Sequence, residues 1–236
     1  MVHGVSTVIL VGRRADNGWR DLLWDVCRAR WHDLTDWPVI EGHHDDGPFN
    51  LAAAYNTAAR HAGDWDTCVY IGSDWVALTA EQLHDAVAVA QQTRKLVFAH
   101  NQTVLLDEEH TRLFIDTDGG LLDLDGADTH TNTFSGVVAV PRVVWDRVGG
   151  FDERFSGWGG EDIAFWCACC ALTPGYERVP GTIVHLWHPR SRAMNEAHPC
   201  YPANDALMRR YLDARHSRTR TNAILREPGG PLGPRP

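Results

Sequence analysis

Short apolar runs alternate with longer stretches of helical periodicity through the first hundred or so residues, and that alternation predicts a mostly parallel sheet flanked by helices. Ser6 to Val11 is a β-branched run suited to a strand buried on both faces, with Gly12, Arg13 and Arg14 at its C-terminal end. A helix is expected from Gly18 to Trp31, with Leu22, Leu23, Val26 and Cys27 on its buried side. Trp37 to Gly42 reads as the second strand. Asn50 to Ala62 is Ala-rich and lacks Gly and Pro, so it reads as a helix, preceded by Pro48 and stopped by Gly63. Thr67 to Gly72 gives the third strand. Thr79, with Gln82 three residues on, matches a capping box and opens a helix striped by Leu83, Ala86, Val87 and Ala90. Lys95 to His100 gives the fourth strand.

The pattern then changes. From Thr103 to Thr131, short apolar pairs stand among many acids and DG and GG turns, which predicts a hairpin or an irregular insertion. The acids from Asp116 onward do not make a calcium loop, because Leu121 stands where that loop needs glycine. A strand over Ser135 to Val140, a short helix ended by Gly149 and Gly150, and a helix over Gly160 to Leu172 follow. A strand over Thr182 to His188 and a last helix over Asn204 to Ala214 complete one domain covering 1–215. The basic, Gly- and Pro-containing stretch 216–236 is expected to be a disordered tail.

At 236 residues the chain suits one well-packed domain. Its formal charge of −9 disfavours nucleic acid as a general partner, and a nucleotide diphosphate would need a metal or arginines to neutralise it locally. Six scattered cysteines read as free thiols in a reducing compartment. The N-terminal apolar run is too short for a membrane span and lacks a cleavage pattern, so a cytoplasmic location is expected.

In open α/β sheets, ligands sit beyond the carboxyl ends of the strands. Arg13, Arg14, Glu41 and Asp74 fall at such ends. Arginine presents a fixed fork of donors suited to phosphate, and a short carboxylate suits a metal or a ribose hydroxyl. Glu161 and Asp162 fall in the first turn of a helix, where unpaired N–H groups lower a carboxylate's pKa while the neighbouring acid raises it. Trp158, directly before Gly159 and Gly160, presents a face for a sugar ring, with Trp75 and Trp187 as alternatives.

The segment NTFSGVVAVPRVVWDRVGGFDERFSGWGGEDIAFW, Asn132 to Trp166, resembles the GT-A fold glycosyltransferases, and in particular a galactosyltransferase-like region in which GGFDE precedes WGGED. The resemblance extends over about residues 6 to 190, weakly in the acidic stretch. It implies an α/β nucleotide-diphospho-sugar transferase fold and a metal-dependent transfer from a UDP-sugar to a hydroxyl acceptor. It places Gly12, Arg13, Arg14, Glu41, Asn50, Ser73, Asp74, Trp158, Gly159 and Gly160 around the donor. It gives Asp74, His185 and His188 to a divalent ion, with Mn2+ expected. Asp162 becomes the catalytic base of an inverting displacement, with Glu161 beside it to orient hydroxyls. One departure stands out: the family's Asp-x-Asp motif reads Gly72–Ser73–Asp74, so its first acid is missing. In an extended strand His185 and His188 point to opposite faces, so the chain must bend after His185 for both to bind one ion. A nucleotide-sugar hydrolase and a non-catalytic nucleotide-sugar or glycan-binding module are the alternatives. The residues leave open the acceptor, a modified nucleobase included, and the oligomeric state.

Overall fold

The computed structural model describes residues 6–16, 18–120, 122–157, 159–189 and 199–234. Its centre is a six-stranded sheet in the order β2(Val39–His43), β1(Thr7–Arg13), β3(Thr67–Gly72), β8(Val137–Pro141), β5(Leu96–Phe98), β9(Tyr176–Arg178). β2, β1 and β3 are parallel, and so are β5 and β9; β8 runs antiparallel to both its neighbours. A smaller sheet has the order β4(Trp75–Ala77), β10(Thr182–His185), β6(Gln102–Leu105), β7(Asp128–Thr131).

Two cores lie on opposite faces of the large sheet, as the apolar run of β1 dictates. Val8 and Leu10 enter one core and Ile9 and Val11 the other, and all four are buried. The first core is covered by α2(Leu51–His61), α5(Arg142–Val148), α6(Glu161–Leu172), α7(Tyr201–Ala214) and α8(Arg218–Leu225). The second is covered by α1(Trp19–Leu34), α3(Ala80–Thr93), α4(Glu108–Asp116) and the small sheet. Two glycines let α2 lie close on the large sheet. A Cβ on Gly42 would sit 1.9 Å from the Ala54 carbonyl oxygen, and one on Gly12 would sit 2.7 Å from Leu51. Gly72 is aligned with Gly12 in the same row.

The capping box at Thr79 and Gln82 forms as its spacing predicts, and Asn50 caps α2 through the Ala53 N–H. The insertion 103–131 is more ordered than its acid content suggests: α4 is capped by Asp107, and the strands flanking it pair as β6 and β7. The tail expectation is corrected. Residues 218–225 form α8, which buries Thr221, Ile224 and Leu225, and Glu227 pairs with Arg154 and Arg210. Weak periodicity hid this helix, because it is held by tertiary contacts more than by an apolar stripe of its own. No helix among the described residues is long and apolar enough to cross a membrane.

Candidate active site

β3 ends at Gly72, a tight turn follows, and β4 begins at Trp75, so Asp74 is presented at the carboxyl edge of the large sheet. β10 pairs antiparallel with β4, setting His185 opposite Trp75. The strand stops at His185, and the bend required by the sequence follows it, with the Leu186 N–H donating to the Asp74 carbonyl at 2.9 Å. His188 thereby returns to Asp74. Its Nε2 lies 3.2 Å from Asp74 Oδ2, and His185 Nε2 lies 3.7 Å from the same oxygen.

One ligand atom from each of Asp74, His185 and His188 can be chosen so that all lie within 4.8 Å of one another. Among the described residues these three form the group able to hold a metal ion, and a carboxylate with two imidazoles fits a borderline divalent cation. Burial lowers the pKa of His185 in spite of Asp74, which favours the neutral ring a metal requires. Burial alone would raise the Asp74 pKa. His185, the hydrogen bond from His188 and Arg20 outweigh it and hold the carboxyl well below the usual range.

Gly160, with φ of 101°, starts α6 without a side-chain cap, leaving the first-turn N–H groups to the acids that follow. The Ile163 N–H donates to Asp162 Oδ1 at 2.7 Å, and the N–H groups of Gly159 and Glu161 hold the Glu161 carboxylate. Which influence wins on these acids is resolved by burial: it raises both pKa values above the ordinary carboxylate range, and the charge of Asp162 raises Glu161 further. The buried hydroxyl of Tyr55 donates to the Ile71 carbonyl at the end of β3, and its pKa is raised by burial and then by Glu161, Asp74 and Asp162. One hydroxyl thus senses all three carboxylates.

The remaining expected donor residues turn out to be occupied in the fold. Arg13 pairs with Asp21 and, at 3.0 Å, with Glu41, which also accepts from Trp24 Nε1 at 2.8 Å. Arg14 donates to the carbonyls of His44 and Gly47 and lies over the Phe49 ring, shaping the loop after β2. Asn50 uses its oxygen as the α2 cap and its amide nitrogen on the Glu153 carbonyl, at 2.7 Å. Gly12 is the seat of α2. Ser73 lies in the turn between β3 and β4, beside Asp74. Trp158 lies outside the described residues.

The GGFDE segment works as a clasp under α6. Asn56 donates to the Phe151 carbonyl and accepts from the Phe151 N–H, both at 2.9 Å, and reaches Glu153 at 2.8 Å. Phe151 stacks on Phe165 of α6, with ring centroids 4.3 Å apart. Asp152 is buried between Arg154 and the Tyr211 hydroxyl, which donates to it at 2.8 Å. Sequence reasoning missed Arg20, which sits in the first turn of α1 and pairs with Asp74 at 3.0 Å. The available signal was a cation at a helix start, where the macrodipole disfavours positive charge.

Residues 123–190 match the model of a family described as the N-terminal domain of galactosyltransferase, which is less than half of the chain. No curated protein matches the sequence. Among solved structures, the chain is similar to a mutant Drosophila β-1,4-galactosyltransferase 7 in complex with manganese, UDP-Gal and xylobiose. That match has a TM-score of 0.55 and 16% identity over 86% of this chain and 79% of that one. It is also similar to glucosyl-3-phosphoglycerate synthase from Mycobacterium tuberculosis in complex with phosphoglyceric acid, with a TM-score of 0.50 and 12% identity over 90% and 80% of the two chains. The central mixed sheet and the helices on both faces accord with these likenesses: the chain has an α/β GT-A-like nucleotide-diphospho-sugar transferase fold.

Proposed function

We propose that the chain transfers a sugar from a UDP-sugar to a hydroxyl acceptor with the help of a divalent cation, by an inverting displacement. The observation that carries this reading is the convergence of Asp74, His185 and His188 at the sheet edge. The relatives named above, solved with manganese and UDP-Gal in one case and with phosphoglyceric acid in the other, support this choice of chemistry.

Asp74, His185 and His188 would hold the ion, which stabilises the charge that develops on the departing diphosphate. Asp162 takes the proton of the attacking hydroxyl as the new bond to the anomeric carbon forms. Its pKa, raised by burial, brings it nearer to working pH and makes it a stronger base than an ordinary carboxylate. Glu161 orients a hydroxyl of donor or acceptor beside it. The N–H groups at the start of α6 keep both carboxylates fixed.

Asp162→Asn is the direct test. It should leave UDP-sugar binding nearly intact while product formation falls at least ~100-fold. Turnover equal to that of the parent protein would remove Asp162 as the base. Incubating the protein with UDP-sugars and Mn2+, with and without acceptors, separates transfer from hydrolysis: release of free sugar at a rate no acceptor changes would make the protein a hydrolase instead.

A further inference from the structure

Arg20 holds an electron pair that a metal ion in the same site would need. Its Nη1 lies 3.0 Å from Asp74 Oδ2, the oxygen that faces both imidazoles. Its Nη2 lies 3.1 Å from His188 Nδ1 and 3.2 Å from His188 Nε2. A neutral imidazole has one lone-pair nitrogen. Being nearly equidistant from the two ring nitrogens, Nη2 lies over the face of the His188 ring, while Nη1 holds the Asp74 oxygen. Nε2 faces Asp74 Oδ2 at 3.2 Å and donates its proton there, so the same carboxylate oxygen is shared by His188 and Arg20. A cation that takes Asp74 Oδ2 as a ligand must therefore displace the Nη1 contact.

The neighbourhood of Arg20 is built to keep it at this edge. Asp21, the next residue, is fixed by Arg13, and Trp19, the residue before, donates from Nε1 to the Trp187 carbonyl at 3.1 Å. Trp19 and Trp187 also meet edge to face, with ring centroids 6.0 Å apart. The first turn of α1 is thus tied to the segment that carries His188. A guanidinium displaced by the ion stays beside it, where a diphosphate bound to that ion would meet a fork of donors.

Resting on the reading that Asp74, His185 and His188 hold a divalent ion, we propose that Arg20 is a ligand of the donor diphosphate, parked on Asp74 and His188 until a metal ion displaces it. Arg20 then has opposite effects on the two partners: it competes with the free ion and assists the nucleotide. A residue that merely supported the fold would change both in one direction.

The experiment is calorimetric titration of Mn2+, without nucleotide, into metal-stripped parent protein, Arg20→Met, Arg20→Lys and Asp74→Asn, followed by titration of UDP at saturating Mn2+. Arg20→Met should bind Mn2+ at least ~5-fold more tightly and UDP at least ~10-fold more weakly than the parent. Arg20→Lys keeps the charge but cannot bridge two acceptors with a planar fork, so it should fall between the two. Arg20→Met with unchanged or weaker Mn2+ binding overturns the parking role, and unchanged UDP binding overturns the diphosphate role. Arg20→Lys serves the same two readings if the Met variant does not fold. Asp74→Asn tests the underlying site separately: parent-like Mn2+ affinity there would remove the metal reading itself.

Discussion

Glu161 is a carboxyl whose pKa is raised by burial and by its neighbour Asp162, so the folded chain binds its proton more tightly than the unfolded chain does. Its effect on stability has a definite sign: stability falls as pH rises from the ordinary carboxylate range through the raised value. Glu161→Gln removes that loss. Its melting temperature should exceed that of the parent at pH 9 by at least about 2 °C, roughly what 1 kcal/mol gives for a domain of this size, and the difference should vanish near pH 4. An equal gap at both pH values would mean that Glu161 does not titrate in this way. Gly72 carries a different expectation. Restoring an Asp-x-Asp motif with Gly72→Asp should not improve metal binding, because a Cβ there would lie 2.4 Å from Trp75 Cδ1 and 3.0 Å from Asp74 Oδ1. Trp75 is packed on His185, with ring centroids 4.6 Å apart, so moving it disturbs a ligand. Calorimetry should find Mn2+ affinity lowered by roughly 10-fold, the range seen when groups supporting metal ligands are disturbed. The glycine that reads in the sequence as a lost acid is, in the structure, space filled by an indole. The ligand triad was legible through the family resemblance, which assigns Asp74, His185 and His188 to one ion although their strand spacing alone would set the two imidazoles on opposite faces. Arg20 was not, since only the fold brings the first turn of α1 to Asp74.

Among the elements, α8 is the one whose role differs most from its sequence. Removing 217–236 deletes the buried Thr221, Ile224 and Leu225 and the carboxylate of Glu227, which holds Arg154 over Asp152. Burial of the two aliphatic side chains alone is worth about 3–6 kcal/mol. The truncated chain should therefore melt at least about 6 °C lower, and a chain that melted like the parent would return the segment to the status of a tail. Apart from β4, the strands and helices up to β5 were legible because each is a short apolar run or a stripe of period 3.6 with punctuation by Gly, Pro or a capping pair. β4 and β9 have three residues each, too short for a period to register. Thr182 to His185 was readable as a strand, but its membership of the small sheet was not, since pairing with β4 and β6 is a long-range property. The GGFDE motif similarly names itself in sequence while its partners Asn56 and Tyr211 lie far along the chain.

On the scale of the whole molecule, the question is how a chain of net charge −9 accepts a diphosphate at the edge bearing Asp74, in a proposed site that also includes Glu161 and Asp162. The two arginines after β1 do little to offset that charge, since Arg13 is already shared by Asp21 and Glu41 and Arg14 is bound to carbonyls. Neutralisation must then come with the ion and with the Arg20 side chain that the ion displaces, and this makes a prediction that separates phosphate from nucleoside. UDP should bind at least ~10-fold more weakly in EDTA than in Mn2+, whereas uridine, which lacks the diphosphate, should bind equally in both. Salt should act in opposite directions. Without the ion, raising ionic strength from 0.05 to about 0.5 M screens repulsion and improves UDP binding; with the ion it screens attraction and weakens it. His188→Ala should behave in Mn2+ as the parent does in EDTA, because it removes a ligand and leaves the acids in place. Equal UDP affinity with and without the ion would mean that the carboxylates at this edge do not face the diphosphate, and the nucleotide would have to be sought on another face of the sheet.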